Sequence, residues 1–344
     1  MNLPPVVRGH MKRRSQVISS PIEQREPDEA ALTAEMIAIL RRKMARDYPK
    51  GGTLRDAHPK TIGLLRGSFR IEPDLPDALR VGLFERPRSF DCWVRFSNSS
   101  GKVQSDAVPD ARGVAIKLLA PRAKGSTAGT ELGQDFVLLN TPVMPLGTVA
   151  LFRDAVYYTI ESSPLLLAAK FALTGHAGAL LGLLMLRANP GSLLDIRYWS
   201  TTPYRFGPDR AVKYSLRPTS RRKSRKRATL GEYYLSETMQ AHLDAHEAAF
   251  DFCVQFWQPG MPIEDAAQRW DEAKSPFLKV ATLYLPVQHF RNDKRARQAE
   301  ALSFSPAHAL AEHAPLGGLN RARGKIYAAL SSFRHRRDQR AQRA

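Results

Sequence analysis

The chain has 344 residues, of which 43% are hydrophobic, so it can bury a sizeable core in one large domain or two ordinary ones. Its formal net charge is +19, but basic residues cluster at 221–227 and from Arg334 onward, as is typical of solvated loops and tails. No recognised DNA- or RNA-binding motif is present, so we expect no specific nucleic-acid partner. Cys92 and Cys253 show no metal-ligand or disulfide pattern, and the N-terminus lacks an apolar signal core. Both features favour a cytoplasmic setting.

The first half of the chain changes from a helical to a strand-like pattern. Residues 1–30 are rich in Pro, Arg, Ser and Glu, which predicts a flexible N-terminal arm. Residues 30–47 have helical periodicity. From 58 to 140 there are short β-rich runs separated by turn residues, which predict an antiparallel sheet or barrel. The runs are IGLLRGSFRI (62–71), ALRVGLFE (78–85), FDCWVRFS (90–97), RGVAIKLL (112–119) and QDFVLLN (134–140).

The second half predicts helices, then further strands, then a last helix. Residues 149–188 read as helices, and 195–217 as a hairpin with a turn near 206–209. Two strands follow at 249–257 and 277–286, and a helix with a basic end follows at 320–337. The order predicts an α+β protein, with 31–338 as a single domain and 339–344 as a basic tail.

One apolar stretch bears on the partners of the protein. Residues 164–187 are strongly apolar but are interrupted by Lys170 and His176. The uninterrupted run is shorter than the ~20 residues that a membrane-spanning helix needs. We therefore expect a buried or interfacial helix pair, and peripheral contact with a membrane stays open.

The last helix carries a pattern with a chemical use. Arg323 and Tyr327 are four residues apart and share one helix face, and Arg334 follows two turns later. A phenol has a pKa of about 10, which a nearby guanidinium lowers by roughly one to three units. The resulting phenolate can ligate ferric iron. Taken alone, the pattern is more typical of packing or surface residues than of a ligand site.

Five motifs in the same order resemble those of the haem catalases. The resemblance is strongest to small catalase-like proteins that keep only the barrel core, and it covers roughly residues 30–338. The motifs are Arg55-Asp-Ala-His58-Pro-Lys60, Val94-Arg95-Phe96-Ser97, Asp110-Ala-Arg112-Gly113-Val-Ala115-Ile-Lys117, Asn140-Thr141-Pro142, and Arg323-x-x-x-Tyr327 with Arg334. The resemblance implies a catalase-like antiparallel β-barrel with flanking helices.

The same resemblance implies haem b as the cofactor and a role for each matching residue. Tyr327 would be the axial iron ligand, with Arg323 as its charge partner. His58 would be the distal acid–base residue, and Ser97 would hold it by a hydrogen bond. The haem propionates would be bound by Arg55, Arg95 and Arg334. Independently, Arg95 and Ser97 are two residues apart on a predicted strand, so they point to the same face.

The sequence departs from the family at the distal pocket. Catalases read Asp-Leu-Val-Gly-Asn-Asn-Thr-Pro where this chain has Asp135 to Pro142, so an ungapped match places Leu139 at the first Asn. Asn140 then matches the second Asn. A one-residue shift would bring Asn140 into the pocket but would invert the faces of the strand. We therefore expect the distal Asn to be lost, with Asn140 kept as the candidate catalytic residue of this motif.

The resemblance predicts a haem-dependent hydroperoxidase that decomposes hydrogen peroxide or organic hydroperoxides through a ferryl state. With Leu139 in place of the distal Asn, we expect weak dismutation and retained peroxidase action with an unidentified electron donor. Two alternatives stay open, a lipid hydroperoxide isomerase on the same scaffold and a non-catalytic haem-binding protein. The oligomeric state also stays open, and a homo-oligomer is compatible with the family.

Overall fold

A computed structural model of the chain describes residues 23–120, 131–220, 223–224 and 229–341. The strands are β1 (Thr61–Ile71), β2 (Ser89–Asn98), β3 (Arg112–Leu119), β4 (Glu131–Leu139), β5 (Tyr198–Trp199), β6 (Tyr204–Arg205), β7 (Ala211–Pro218), β8 (Ala248–Phe256) and β9 (Leu278–Leu285). The helices are α1 (Glu29–Asp47), α2 (Val149–Glu161), α3 (Pro164–Leu173), α4 (Ala177–Met185), α5 (Tyr234–Leu243), α6 (Asp293–Ala301) and α7 (Gly318–Ala341).

The strands form one antiparallel sheet that closes on itself. Their order is β5-β4-β3-β2-β1-β9-β8-β7-β6, and an additional pairing of β5 with β7 completes a barrel of eight strands, with β6 outside the ring. The closing strand has only two residues, since β5 pairs with β4 through Trp199 and with β7 through Tyr198 and Trp199. Closure removes the open edges that a sheet of this size would otherwise expose.

The barrel interior is the main hydrophobic core. Alternation along each strand sends one set of side chains inward, and aromatic residues dominate that set. Phe69, Phe136 and Phe252 contact one another there, with ring centroids 4.6–5.6 Å apart. The neighbouring residues in sequence point to the outer face, where the helices lie. Polar residues on β2 and β3 therefore face outward and not into the barrel.

A second, smaller core joins three helices outside the barrel. Met36 and Leu40 of α1, Val149 of α2, and Leu319 and Ile326 of α7 pack together there. This contact places the C-terminal helix against the N-terminal one. Residues 23–30, the described part of the predicted arm, lie against α7 as well, since Arg321 forms ion pairs with Glu23 and with Glu29.

The structure confirms the predicted α+β architecture with one antiparallel barrel, and it corrects one local prediction. ALRVGLFE (78–85) is not a strand, because two short 3₁₀ turns lie at Asp77–Leu79 and Gly82–Phe84. Gly82 has φ +54°, and the Leu83 N–H donates to His313 Nε2 at 3.0 Å, so the backbone here binds a side chain and no neighbouring strand. The helices α5 and α6 were not predicted. Residues 1–22, most of 221–227, and 342–344 lie outside the described residues.

Candidate functional site

His58 lies immediately before β1 in a conformation that few non-glycine residues adopt. Its φ is +57°, a left-handed conformation that costs on the order of 1–3 kcal/mol and persists where surrounding contacts hold it. Arg95 Nη2 donates to the His58 carbonyl at 2.6 Å, and the His58 N–H donates to the carbonyl of Ser99 at 3.4 Å. The His58 Nδ1 atom lies 3.0 Å from Ser97 Oγ, so the ring orientation is fixed as well.

Beneath the His58 ring, a row of three paired residues crosses the outer face of the barrel, namely Ser97, Gly113 and Leu139. Ser97 pairs with Gly113 on β3, and Gly113 pairs with Leu139 on β4. Directly paired residues share a face of the sheet. A Cβ atom at Gly113 would lie 2.8 Å from His58 Cε1 and 3.0 Å from Nδ1, so the position admits only glycine while the ring stays in place.

The imidazole of His58 is neutral over the physiological range. Burial lowers the pKa of His58 to about 4, and the positive charge of Arg95 adds to the depression. The carboxylate of Asp110 opposes the change, while Arg323 and Arg55 reinforce it. A neutral imidazole whose Nδ1 is bonded to a hydroxyl can use its Nε2 atom to accept and return a proton.

The strand register places Leu139 and Asn140 differently. Leu139 belongs to the row of Ser97 and Gly113, as the ungapped match predicts. The side-chain oxygen of Asn140 accepts a hydrogen bond from the Arg112 N–H at 2.8 Å, and the Asn140 N–H donates to the Arg112 carbonyl at 2.9 Å. Asn140 thus holds the end of β4 against the start of β3. The catalytic role predicted for Asn140 stays a prediction.

Three arginines from distant parts of the chain surround the C-terminal end of α6. Arg55 donates to Glu300 Oε2 at 2.9 Å, and its other terminal nitrogen donates to the carbonyls of Ala299 and Leu302 at 2.6 and 2.7 Å. Arg334 Nη1 donates to the Glu300 carbonyl at 2.5 Å. Cations are favourable at a helix C-terminus, where unpaired carbonyls collect. The donors of Arg55 and Arg334 are therefore already in use within the chain.

The third of these arginines connects the cluster to His58. Arg95 donates to Thr61 Oγ1 at 3.0 Å and to the His58 carbonyl. Burial lowers the pKa of Arg95 to about 9, and the nearby positive charge of Arg55 contributes. Burial also lowers the pKa of Arg55 to about 10, against the attraction of Glu300. Glu300 raises the pKa of both arginines and Arg334 lowers both, so these four charged groups act on one another.

The helix α7 contributes the tyrosine and its neighbouring arginine. The Arg323 guanidinium carbon lies 5.6 Å from the centre of the Tyr327 ring, and its Nη1 donates to Thr202 Oγ1 and Asn320 Oδ1, both at 3.1 Å. Burial works to lower the pKa of Arg323, but the phenols of Tyr327 and Tyr204 outweigh it, so the pKa is raised. Thr201, next to Thr202, has φ +59° and is, with His58, one of two non-glycine residues with positive φ among those described.

The structure brings together the residues that the sequence predicted as a site. The Ser97–His58 pair lies above β2 and β3, and the charge of Arg323 on α7 is close enough to lower the pKa of His58. At one end of the same region lie Arg55, Arg95 and Arg334. Arg55 and Arg334 both donate to the Leu302 carbonyl after α6, and their charges lower the pKa of Arg95. The Tyr327 side chain packs on the helical core of α1 and α2. No group of three or more His, Cys, Asp or Glu side chains that could hold a metal ion occurs within the described ranges.

Two residues that contact this site were missed in the sequence. Gly113 was part of a recognised motif but was given only a structural role, although it makes room for the His58 ring. Glu300 had no signal at all, because it lies on an unpredicted polar helix and acts on arginines about 245 residues earlier and 34 later in the chain. Contacts over such separations follow from tertiary structure and not from local pattern.

Comparison with known proteins supports the fold. No protein-family model matches the chain, and no curated protein sequence is significantly similar to it. Solved structures that match over 85–96% of the chain include a fungal catalase (19% identity, TM-score 0.67), catalase A from Saccharomyces cerevisiae (16%, 0.66) and a bacterial catalase (17%, 0.63). The chain spans 62%, 63% and 67% of their respective lengths.

The closed eight-stranded antiparallel barrel with helices packed on its outside places the protein among mixed α+β barrel proteins. More particularly, the chain has a catalase-like fold. At these identities the likeness concerns the fold alone. Within the described part of the chain, no helix is both long and apolar enough to cross a membrane.

Proposed function

We propose that this protein is a haem-dependent hydroperoxidase that acts on hydrogen peroxide or organic hydroperoxides. The observation that carries the proposal is His58, a neutral histidine held by Ser97 beneath the charge of Arg323. A protein that only binds haem has no need of such a residue, and the strained backbone at His58 is costly to maintain. A pre-positioned base fits a proton-transfer step.

The donor set fits a haem group. A tyrosine beside a buried arginine suits ferric iron, and a cluster of arginines at one end suits two carboxylates. In this proposal Tyr327 ligates the iron, and Arg55, Arg95 and Arg334 bind the propionates. Haem b would supply the iron centre at which the peroxide bond is cleaved. The residues of the chain then bind, orient and move protons.

His58 is the residue that would move the peroxide proton. When Nδ1 donates to Ser97 Oγ, the lone pair of the ring is at Nε2. Nε2 can take the proton from one oxygen of the hydroperoxide and return it to the other oxygen, which then leaves as water or an alcohol. Because the pKa of His58 is about 4, the base form is present at neutral pH without any preceding deprotonation.

The row beneath His58 favours peroxidase action over dismutation. Dismutation requires a second peroxide molecule to be held and oriented while it is oxidised. Leu139 stands in that row, opposite Gly113, and its side chain offers no hydrogen bond. An apolar surface at this point is better suited to the organic part of a hydroperoxide than to a second hydrogen peroxide molecule.

The first experiment is an ultraviolet–visible titration with haem of the wild-type protein, Tyr327→Phe and the control Tyr157→Phe. The control phenol is 37% exposed and lies outside the site. We expect a high-spin ferric phenolate spectrum in the wild type and the control. In Tyr327→Phe we expect that spectrum to be lost and haem affinity to fall about tenfold or more. Failure of the wild type to take up supplied haem would show the proposal to be wrong.

The second experiment tests the base. In His58→Gln we expect hydroperoxide cleavage to slow by about 100-fold or more, with haem still bound. Product analysis in the same assay distinguishes the alternatives, because an isomerase consumes no reductant and releases no oxygen. A wild-type cleavage rate in His58→Gln would remove His58 from the mechanism.

A further inference from the structure

The helices α3 and α4 form a hairpin, residues 164–185, that is fixed to the protein by one face. Leu167 and Phe171 are buried against Leu146. Side chains of α2 and α4 complete this small core, namely Leu151, Phe152, Ala155, Tyr158, Ala179, Leu180 and Leu183. Lys170 is paired with Asp154 of α2 at 2.7 Å. The position of the hairpin on α2 is therefore defined.

The opposite face of the hairpin exposes large apolar side chains to solvent. Leu165, Leu166, Leu173, Leu181, Leu184 and Met185 are 55–88% exposed. They are six of the twelve large hydrophobic residues that are strongly exposed in the described ranges. Single exposed leucines are ordinary, but a concentration of this kind marks an interaction surface.

The charges around this face indicate what it meets. Residues 164–187 contain no Asp or Glu, and the cation Arg187 is exposed at the end of α4. The whole chain has a formal net charge of +19. An anionic surface would be attracted, whereas a second copy of this chain would carry the same positive charge and be repelled. Charge complementarity thus favours an anionic lipid surface.

The dimensions of the hairpin exclude a spanning orientation. The helix α3 has 10 residues and α4 has 9, whereas a span requires about 20. Both helices would have to lie in the plane of the interface, with their apolar face among the acyl chains and their cations near the headgroups. The turn at Thr174–His176 is exposed and does not obstruct such an orientation.

We propose that the 164–185 hairpin binds the surface of an anionic lipid bilayer. The inference is independent of haem binding, because it rests on the exposed leucines and the charge of the chain. Burying these side chains in the interface would remove apolar surface from water, which is the main driving force for peripheral attachment.

The test is co-sedimentation of the full chain with vesicles of phosphatidylcholine alone and of phosphatidylcholine mixed with phosphatidylserine. We expect binding to the mixed vesicles to exceed binding to phosphatidylcholine alone. In the double variant Leu173→Glu/Leu184→Glu we expect the partition coefficient on mixed vesicles to fall about tenfold or more. The matched control is Leu278→Glu/Val287→Glu, which changes exposed apolar residues elsewhere and should bind like the wild type.

Three outcomes would overturn the proposal. One is no sedimentation of the wild type with either vesicle at low salt. Another is equal binding of the wild type and the hairpin variant, since attraction would then be due to charge alone. The last comes from analytical ultracentrifugation without lipid, namely a wild-type dimer that the hairpin variant abolishes. That result would assign the face to a second copy of the chain.

Discussion

At the scale of single residues, His58 shows how burial sets chemistry. The neutral ring follows from burial first and from neighbouring arginines second. Both causes come from residues far away in the chain, which is why the Arg55-x-x-His58 spacing could predict the residue but not its protonation state. Gly113 contributes through what it lacks, because the absence of a side chain there leaves room for the His58 ring.

The lowered pKa of His58 predicts a dependence of stability on pH. Its pKa is about 4 in the folded chain and about 6.5 in an unfolded one. Above pH 6.5 neither state binds the proton. As the pH falls from 6.5 towards 4, only the unfolded state is protonated, so this residue removes up to about 1.4 kcal/mol of stability per pH unit. We expect urea unfolding of His58→Gln to lack this part of the slope.

The control for that measurement is His176→Gln, because His176 lies on the exposed tip of the 164–185 hairpin. This variant replaces an exposed imidazole, so it measures the effect of removing a histidine that is not buried. If His58→Gln and the wild type lose stability in parallel between pH 6.5 and 4, the ring of His58 is not held neutral by the fold.

Leu139 gives a prediction about the balance of activities. In Leu139→Asn an amide would stand in the row of Ser97 and Gly113 and could hold a second peroxide molecule. We expect oxygen release from hydrogen peroxide to rise several-fold relative to dye peroxidation. Val137→Asn changes the same face of β4 two residues away, opposite Ala115, and should leave the ratio unchanged. An unchanged ratio in Leu139→Asn would show that this position does not limit dismutation.

At the scale of elements, the sequence predicted most strands and the helices α1, α2, α3, α4 and α7, but not α5 or α6. Alternating apolar residues bounded by turn residues located β1, β2, β3, β4, β8 and β9 to within a few residues. The helix α6 was missed because DKRARQAEA has almost no apolar periodicity. That helix is held by the arginines at its C-terminal end, a tertiary interaction with no local signature.

The helix α6 yields a prediction about haem affinity. In this structure Glu300 Oε2 accepts a hydrogen bond from Arg55 at 2.9 Å. A propionate that binds Arg55 must therefore compete with Glu300. We expect Glu300→Gln to bind haem about three- to tenfold more tightly in a Soret titration, because a charged acceptor is replaced by a weaker neutral one. Glu161→Gln, which removes a carboxylate paired with Arg42 on the surface, should bind as the wild type does. Weaker binding in Glu300→Gln would mean that Glu300 positions Arg55 for the ligand.

At the scale of the whole molecule, the predicted barrel is confirmed, and the roles of the candidate site residues stay predictions. No single segment of the sequence predicts how the outer face of the barrel, the helices packed on it and the cluster of arginines come together. The four parts of the site come from residues near 58, 97, 300 and 327. The order of the motifs predicts that these four parts lie together only because the same order occurs in a known fold.

The pairing of β1 with β9 has a consequence for how the molecule comes into being. The first strand of the barrel, Thr61–Ile71, pairs with β2 early in the chain but finds its second partner only in Leu278–Leu285, and Tyr327 follows later still. During synthesis on the ribosome, His58 emerges early. The residues that surround it in the fold are complete only after nearly the whole chain has been synthesised. The site is therefore the last region to be completed. A chain interrupted before β9 would present open barrel edges, and one interrupted before α7 would lack Arg323 and Tyr327.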